Sequence, residues 1–217
     1  HSFLEMFSGA GNLSKAVSRR GAKIIALDSH NSDSTHTGFD LLNRGDFRKV
    51  CELIKRGKVR WLHLAPPCRT FSVARRSDEV CRYKALRSRK FPAGFGPPGS
   101  RPWAVTEANA LAARSVKLMK LAVKSGTFVS LENPETSLLW ELPCLKRAAR
   151  FKGMSCIDGD QCIGGGPFRK PTRWMTNAPW IKVLAHRCPG HPIHATHIPL
   201  HGKVMLASGQ WDWLSTF

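Results

Sequence analysis

Ser2-Phe3-Leu4-Glu5-Met6-Phe7 followed by Ser8-Gly9-Ala10-Gly11 is a short apolar run stopped by a glycine-bearing turn. The run reads as a buried strand. The turn opens a helix over Asn12 to Arg20, with Leu13, Ala16 and Val17 on one face. Lys23-Ile24-Ile25-Ala26-Leu27 is a second strand, closed by Asp28. Asp46 to Lys55 is a second helix with Phe47, Val50, Leu53 and Ile54 inward, and Arg60 to Ala65 is a third strand stopped by Pro66 and Pro67. Strand, helix, strand, helix, strand predicts an α/β fold: a mostly parallel sheet with helices on both faces.

The pattern breaks from Cys68 to Pro102, a long Arg-, Gly- and Pro-rich stretch of the kind that is usually functional. Ala104 to Lys124 is the clearest helix, and Gly126 stands where a C-terminal stop belongs. Thr127 to Leu131 is a fourth strand that delivers Glu132. Beyond about residue 150 there are short strand candidates at 151–157 and 172–176, then a Pro/His-rich tail. This divides the chain into a core over 1–150 and a small irregular part over 151–217.

Lys plus Arg is 34 against 15 Asp plus Glu, a net charge of +19 that fits a polyanionic partner. Arg outnumbers Lys in the 69–101 stretch, which favours bidentate phosphate contacts. No apolar run reaches the length of a membrane span. Seven cysteines without a regular disulfide frame point to a reducing compartment. The abrupt start without a signal peptide reads as a piece of a longer protein.

Gly9 and Gly11 sit between the first strand and the first helix, where a parallel sheet binds ligands; a plain tight turn is the other reading. Asp28 ends the second strand, the position of a ribose-binding carboxylate or of an ordinary turn residue. Cys68 is held at the sheet edge by two prolines, with Arg69, Arg75 and Arg76 nearby to favour its thiolate. Glu132 lies between an apolar strand and Asn133-Pro134. A carboxylate is costly to bury there unless paired or protonated, and its bland alternative is a residue of a helix N-terminus.

Taken together, Phe3-Leu4-Glu5-Met6-Phe7-Ser8-Gly9-Ala10-Gly11, Asp28, Asp40-Leu41-Leu42, Pro66-Pro67-Cys68 and Glu132-Asn133-Pro134 resemble, in order, the motifs of the cytosine-5 DNA methyltransferases, in a divergent phage- or transposon-like form. The resemblance covers about residues 1–140. It implies a Rossmann-like methyltransferase fold, S-adenosylmethionine as methyl donor and double-stranded DNA as partner. Cys68 would attack cytosine carbon 6, Glu132 would donate to ring nitrogen 3, and the target base would be flipped out. Phe7, Ser8, Gly9, Ala10, Gly11, Leu13, Asp28, Asp40, Leu41 and Pro66 would hold the cofactor. The family's Gln-x-Arg-x-Arg segment is absent, and Arg169 with Arg173 would substitute in catalysis. Arg69, Ser72, Arg75, Arg76, Arg87, Arg89, Lys170 and Thr172 would face the nucleic acid. No large target-recognition domain and no final cofactor-closing helix are found, so sequence specificity would be low or supplied by other domains of a longer protein. A DNA substrate implies the nucleus in a eukaryote and the cytoplasm otherwise. The rival readings are the same chemistry on RNA and a relative that only binds nucleic acid.

Cys188, His194 and His197 in steps suited to tetrahedral zinc, with Cys162 or Cys156 as the remaining ligand, predict a structural metal stapling the tail; a solvated His-rich loop is the alternative.

Overall fold

The computed structural model describes residues 2–29, 38–75, 84–165, 168–190 and 197, and the backbone of strands at 203–205 and 211–213. Four parallel strands form its centre: β1 (Ser2–Met6), β2 (Lys23–Leu27), β3 (Val59–Leu64) and β4 (Phe128–Pro134). β5 (Ser155–Asp160) and β6 (Pro171–Thr176) complete a sheet of order β2-β1-β3-β4-β6-β5, in which β6 runs antiparallel to both neighbours. This is a Rossmann-like α/β sheet.

The connecting helices are α1 (Asn12–Ser18), α2 (Arg44–Lys55), α3 (Trp103–Lys124) and α4 (Pro143–Ala148). α2 starts two residues before the expected Asp46 because the Asn43 side chain accepts from the Gly45 and Asp46 amides. α3 ends at Lys124, and Gly126 just beyond it, with a positive φ of 69°, turns the chain into β4. Right-handed crossovers put α1 on one face of the sheet and α2 and α3 on the other.

Strand alternation then sorts the side chains. Leu4, Met6, Leu62, Leu64, Val129 and Leu131 join Ala112, Leu118, Met119 and Leu145 in the main core. On the opposite face Trp61 and Phe128 pack against Ile157, Trp174 and Ile181, and Phe3 packs on the Trp61 ring. The same face carries Glu5, His63, Ser130 and Glu132 towards the C-terminal ends of the strands.

Three expectations change. β4 does not stop at Leu131: Glu132, Asn133 and Pro134 stay in the strand because Trp174, Arg173 and Thr172 of β6 pair with them. Glu132 is therefore no helix-start residue; Ser137 caps the short turn Leu138–Glu141. The strand expected over 151–157 is Ser155–Asp160. The boundary at residue 150 does not divide the sheet, since β5 and β6 lie in it. In the tail, β7 (Lys203–Met205) and β8 (Trp211–Trp213) pair antiparallel. No helix among the described residues is long and apolar enough to cross a membrane.

Candidate active site

A cleft of about 290 Å³ opens at the C-terminal ends of β1, β2 and β3, where such sheets place ligands. Phe7, Asp28, Asp40 and Leu41 line it, together with Phe39, Pro67, Glu107 and Leu111. Ser8, Gly9, Ala10 and Gly11 form the adjoining turn instead, and Leu13 lies in the first turn of α1. Phe7 itself has a positive φ of 63°, and its amide and that of Ser8 both donate to the Leu27 carbonyl. The Gly9 amide donates to Asp28 Oδ2 at 2.9 Å, so the carboxylate braces the glycine turn. Glu5, buried beneath the turn, accepts from the Ser14 amide at 2.9 Å and from the Ser14 hydroxyl. Burial pushes the Glu5 carboxyl above the usual range. Pro66 is buried and is replaced in the cleft wall by Pro67.

Cys68 stands on a bend anchored at both ends. Asn133 Nδ2 donates to the Pro66 carbonyl at 2.8 Å. The Phe71 amide donates to the Cys68 carbonyl at 2.8 Å, and the Phe71 ring is fully buried in the main core. The half-buried thiol is pushed above the ordinary cysteine range by burial, and the charge of Lys170 pulls it back.

Glu132 is held from two sides. Its Oε1 accepts from Gln161 Nε2 at 3.1 Å, and Lys170 Nζ lies 3.5 Å away. Its Oε2 lies 3.9 Å from Nε2 of His63. Burial pushes the His63 imidazole below its usual range, which keeps it neutral. Trp61 Nε1 donates to Ser130 Oγ at 2.9 Å, and Ser130 Oγ is 2.8 Å from His63 Nδ1. Ser130 Oγ thus bridges the Trp61 indole and the His63 ring. His63, Ser130 and Gln161 escaped the sequence reading. The first two carried a signal, as polar residues inside apolar strands. Gln161 carried none.

The expected contacts divide sharply. Neither Arg169 nor Arg173 reaches Glu132. Arg173 pairs in register with Asn133, on the opposite face, and forks onto both oxygens of Asp158 at 2.7 and 2.8 Å. Arg169 is exposed, 3.5 Å from Asp160. Lys170, expected as a nucleic-acid contact, is the cation at the glutamate. Thr172 is fully buried and donates to the Lys170 carbonyl, so it faces no ligand. Arg87 is likewise no surface contact: only 4% exposed, it stacks 3.7 Å over Phe71 and donates to Thr70, Pro92, Val105 and Asn109. It pins the 84–102 loop to α3 and to the Cys68 bend. Arg69 and Arg89 are exposed, and Ser72 Oγ accepts from the Ala74 amide. Arg75 spans the bend, donating to the carbonyls of Arg69 and Lys84. Arg76 and His194 lie outside the described residues.

At the far end of β5, Cys162, Cys188 and His197 come together, with their ligand atoms all within 4.8 Å of one another. Cys156 is exposed on β5 and is not part of this group.

No protein-family model matches the chain, and no curated protein does. Among solved structures 16 chains match. One is the crystal structure of the Dnmt2 methyltransferase of S. pombe, at 13% sequence identity and a TM-score of 0.45, covering 81% of this chain and 48% of that one. The chain thus spans about half the length of that protein.

Proposed function

We propose that this chain transfers a methyl group from S-adenosylmethionine to carbon 5 of cytosine in double-stranded DNA. The observation that carries the reading is the Asn133–Pro66 bond. It locks a cysteine-bearing bend to a glutamate-bearing strand, with the charge of Lys170 acting on both.

The cleft suits the cofactor in size and chemistry. Its volume is near the lower end of the roughly 300–1,000 Å³ usual for small-molecule sites. Phe7, Phe39 and Leu41 offer apolar wall to an adenine, and Asp28 and Asp40 offer acceptors to ribose hydroxyls and ring amines. Ser8 Oγ is buried with no protein partner among the described residues, a polar atom fit for a ligand. S-adenosylmethionine supplies an electrophilic methyl when bound there.

The chain's own residues do the rest. Cys68 Sγ forms a bond to cytosine carbon 6, and the ring π electrons move to carbon 5, which becomes nucleophilic enough to accept the methyl. Glu132, once protonated, donates to ring nitrogen 3 and offsets the charge that develops there. Water takes the carbon 5 proton, the carbon–sulfur bond breaks, and the thiolate and the aromatic ring are restored. Lys170 favours the thiolate at the start and the end. A base in a duplex reaches Cys68 only when flipped out. The +19 charge supports a polyanionic partner, and exposed Arg69 and Arg89 supply cations on the loop that carries Cys68. Other domains of a longer protein would supply target recognition, and a DNA substrate implies the nucleus in a eukaryotic source.

The test is transfer of labelled methyl to duplex DNA and to tRNA side by side, with nucleosides identified by mass spectrometry. The expected product is 5-methylcytosine in DNA. Label in tRNA alone would replace the substrate and keep the chemistry; a label on an exocyclic amine would overturn the mechanism.

A further inference from the structure

We propose that Cys162, Cys188 and His197 form a structural zinc site that fixes one wall of the candidate active site. A tetrahedral zinc with bonds of about 2.3 Å to sulfur and about 2.0 Å to nitrogen sets sulfur–nitrogen edges of about 3.5 Å. Cys188 Sγ stands 3.5 Å from His197 Nε2. Cys162, the third ligand, is 1% exposed and comes from a turn more than twenty residues earlier in the chain.

The Gly190 amide donates to Cys188 Sγ at 3.4 Å, an outer contact of the kind that orients a metal ligand. Gly190 makes that bond from a positive φ of 76°, which follows directly on Cys188-Pro189. The approach of the two cysteines is also enforced. The Cys188 amide donates to Asp160 Oδ2 at 2.8 Å, and the Asp160 amide to the His186 carbonyl at 2.9 Å. A Cβ on Gly159 would come within 1.9 Å of the Leu184 carbonyl oxygen, so only glycine lets this segment lie against β5.

The metal has a consequence for the chemistry, one that rests on the proposed function. Cys162 follows Gln161 in the same short turn, Gln161–Gly164. The Gln161 side chain donates to Glu132 and its amide to the Lys170 carbonyl at 3.2 Å. Fixing Cys162 therefore fixes Gln161, and through it the carboxylate and the cation beside Cys68.

The experiment is metal analysis of the full chain purified under reducing conditions, with cobalt exchange as a second readout. About one zinc per chain is expected, with tetrahedral cobalt absorption and thiolate charge-transfer bands after exchange. Cys188→Ser should lose the metal and His197→Cys should keep it, so a folding defect and a ligand defect separate. On the metal-free chain, S-adenosylmethionine affinity should hold while methyl transfer falls about ten- to a hundredfold, the usual cost of losing support around a site. A folded wild-type chain without metal, whose melting temperature ignores added zinc, would overturn the site. So would a Cys162–Cys188 disulfide in the mass of the chain purified without reductant. Bound zinc whose removal leaves transfer unchanged would overturn the link to Glu132. Metal content is read without any methyl acceptor, so failure of the site and failure of the proposed function are distinguishable.

Discussion

Cys68 and Glu132 reach one site by opposite routes. The cysteine lies on a bend set first by its own neighbours, two prolines before it and a turn to Phe71 after it, and tied down by the side chains of Asn133, Arg75 and Arg87. The glutamate lies inside a strand, and what holds its carboxylate comes from afar: His63 on β3, Gln161 after β5 and Lys170 before β6. The difference teaches that the nucleophile is a local device and the acid a tertiary one. Local changes should damage the first, and damage to the C-terminal third of the sheet should reach the second.

The largest break should come from Glu132→Gln. It keeps the amide-sized side chain and its neighbours but removes the proton donor, and should lower kcat about 100- to 10,000-fold with cofactor affinity unchanged in calorimetry. A loss mainly in cofactor binding would move Glu132 out of the acid role. Lys170→Met sharpens the comparison, since Lys170 is a distant cation that acts on the cysteine. Burial already holds the thiol high, so wild-type kcat/KM should climb as pH rises through neutrality. Without the lysine charge the thiol moves higher still, the climb shifts to more alkaline pH, and the rate near neutral pH falls. An unshifted profile would detach Lys170 from the thiol. Asn133→Ala cuts the tie between the two routes. It leaves the buried Pro66 carbonyl unpaired, at a cost of about 1–3 kcal/mol in chemical denaturation; an unchanged midpoint would mean that the bend is held without it.

The same contrast decides what could be read from the chain. β1, β2 and β3 are apolar runs that end at turn residues, and α2 and α3 carry long stripes, so each was legible to within two residues. Pro66-Pro67-Cys68 was legible because its constraint is covalent and local. The end of β4 was not: Glu132 to Pro134 stay extended because β6, some forty residues on, pairs with them, and a proline argues against a strand. α4 is only six residues long, too few to show a period. Arg87 looked like its basic neighbours, and only packing reveals it stacked on Phe71. Arg173 fails as a site residue by strand parity. Once β6 is known to start at Pro171, residues 170 and 174 fall on the Glu132 face and residue 173 on the other. Cys162 and Cys188 do come together with His197, and Cys156 could be set aside from that group only with β5 and the 184–188 segment in view.

The central claim is that Cys68 forms a covalent bond to carbon 6 of a cytosine, and a trap tests it most directly. In duplex DNA whose target cytosines carry fluorine at carbon 5, the proton that must leave is absent, so the carbon–sulfur bond cannot be released after methylation. With S-adenosylmethionine present, the chain should shift in mass by the methylated strand, and peptide mapping should put the adduct on Cys68. No adduct, or an adduct that persists in Cys68→Ala, would contradict the account.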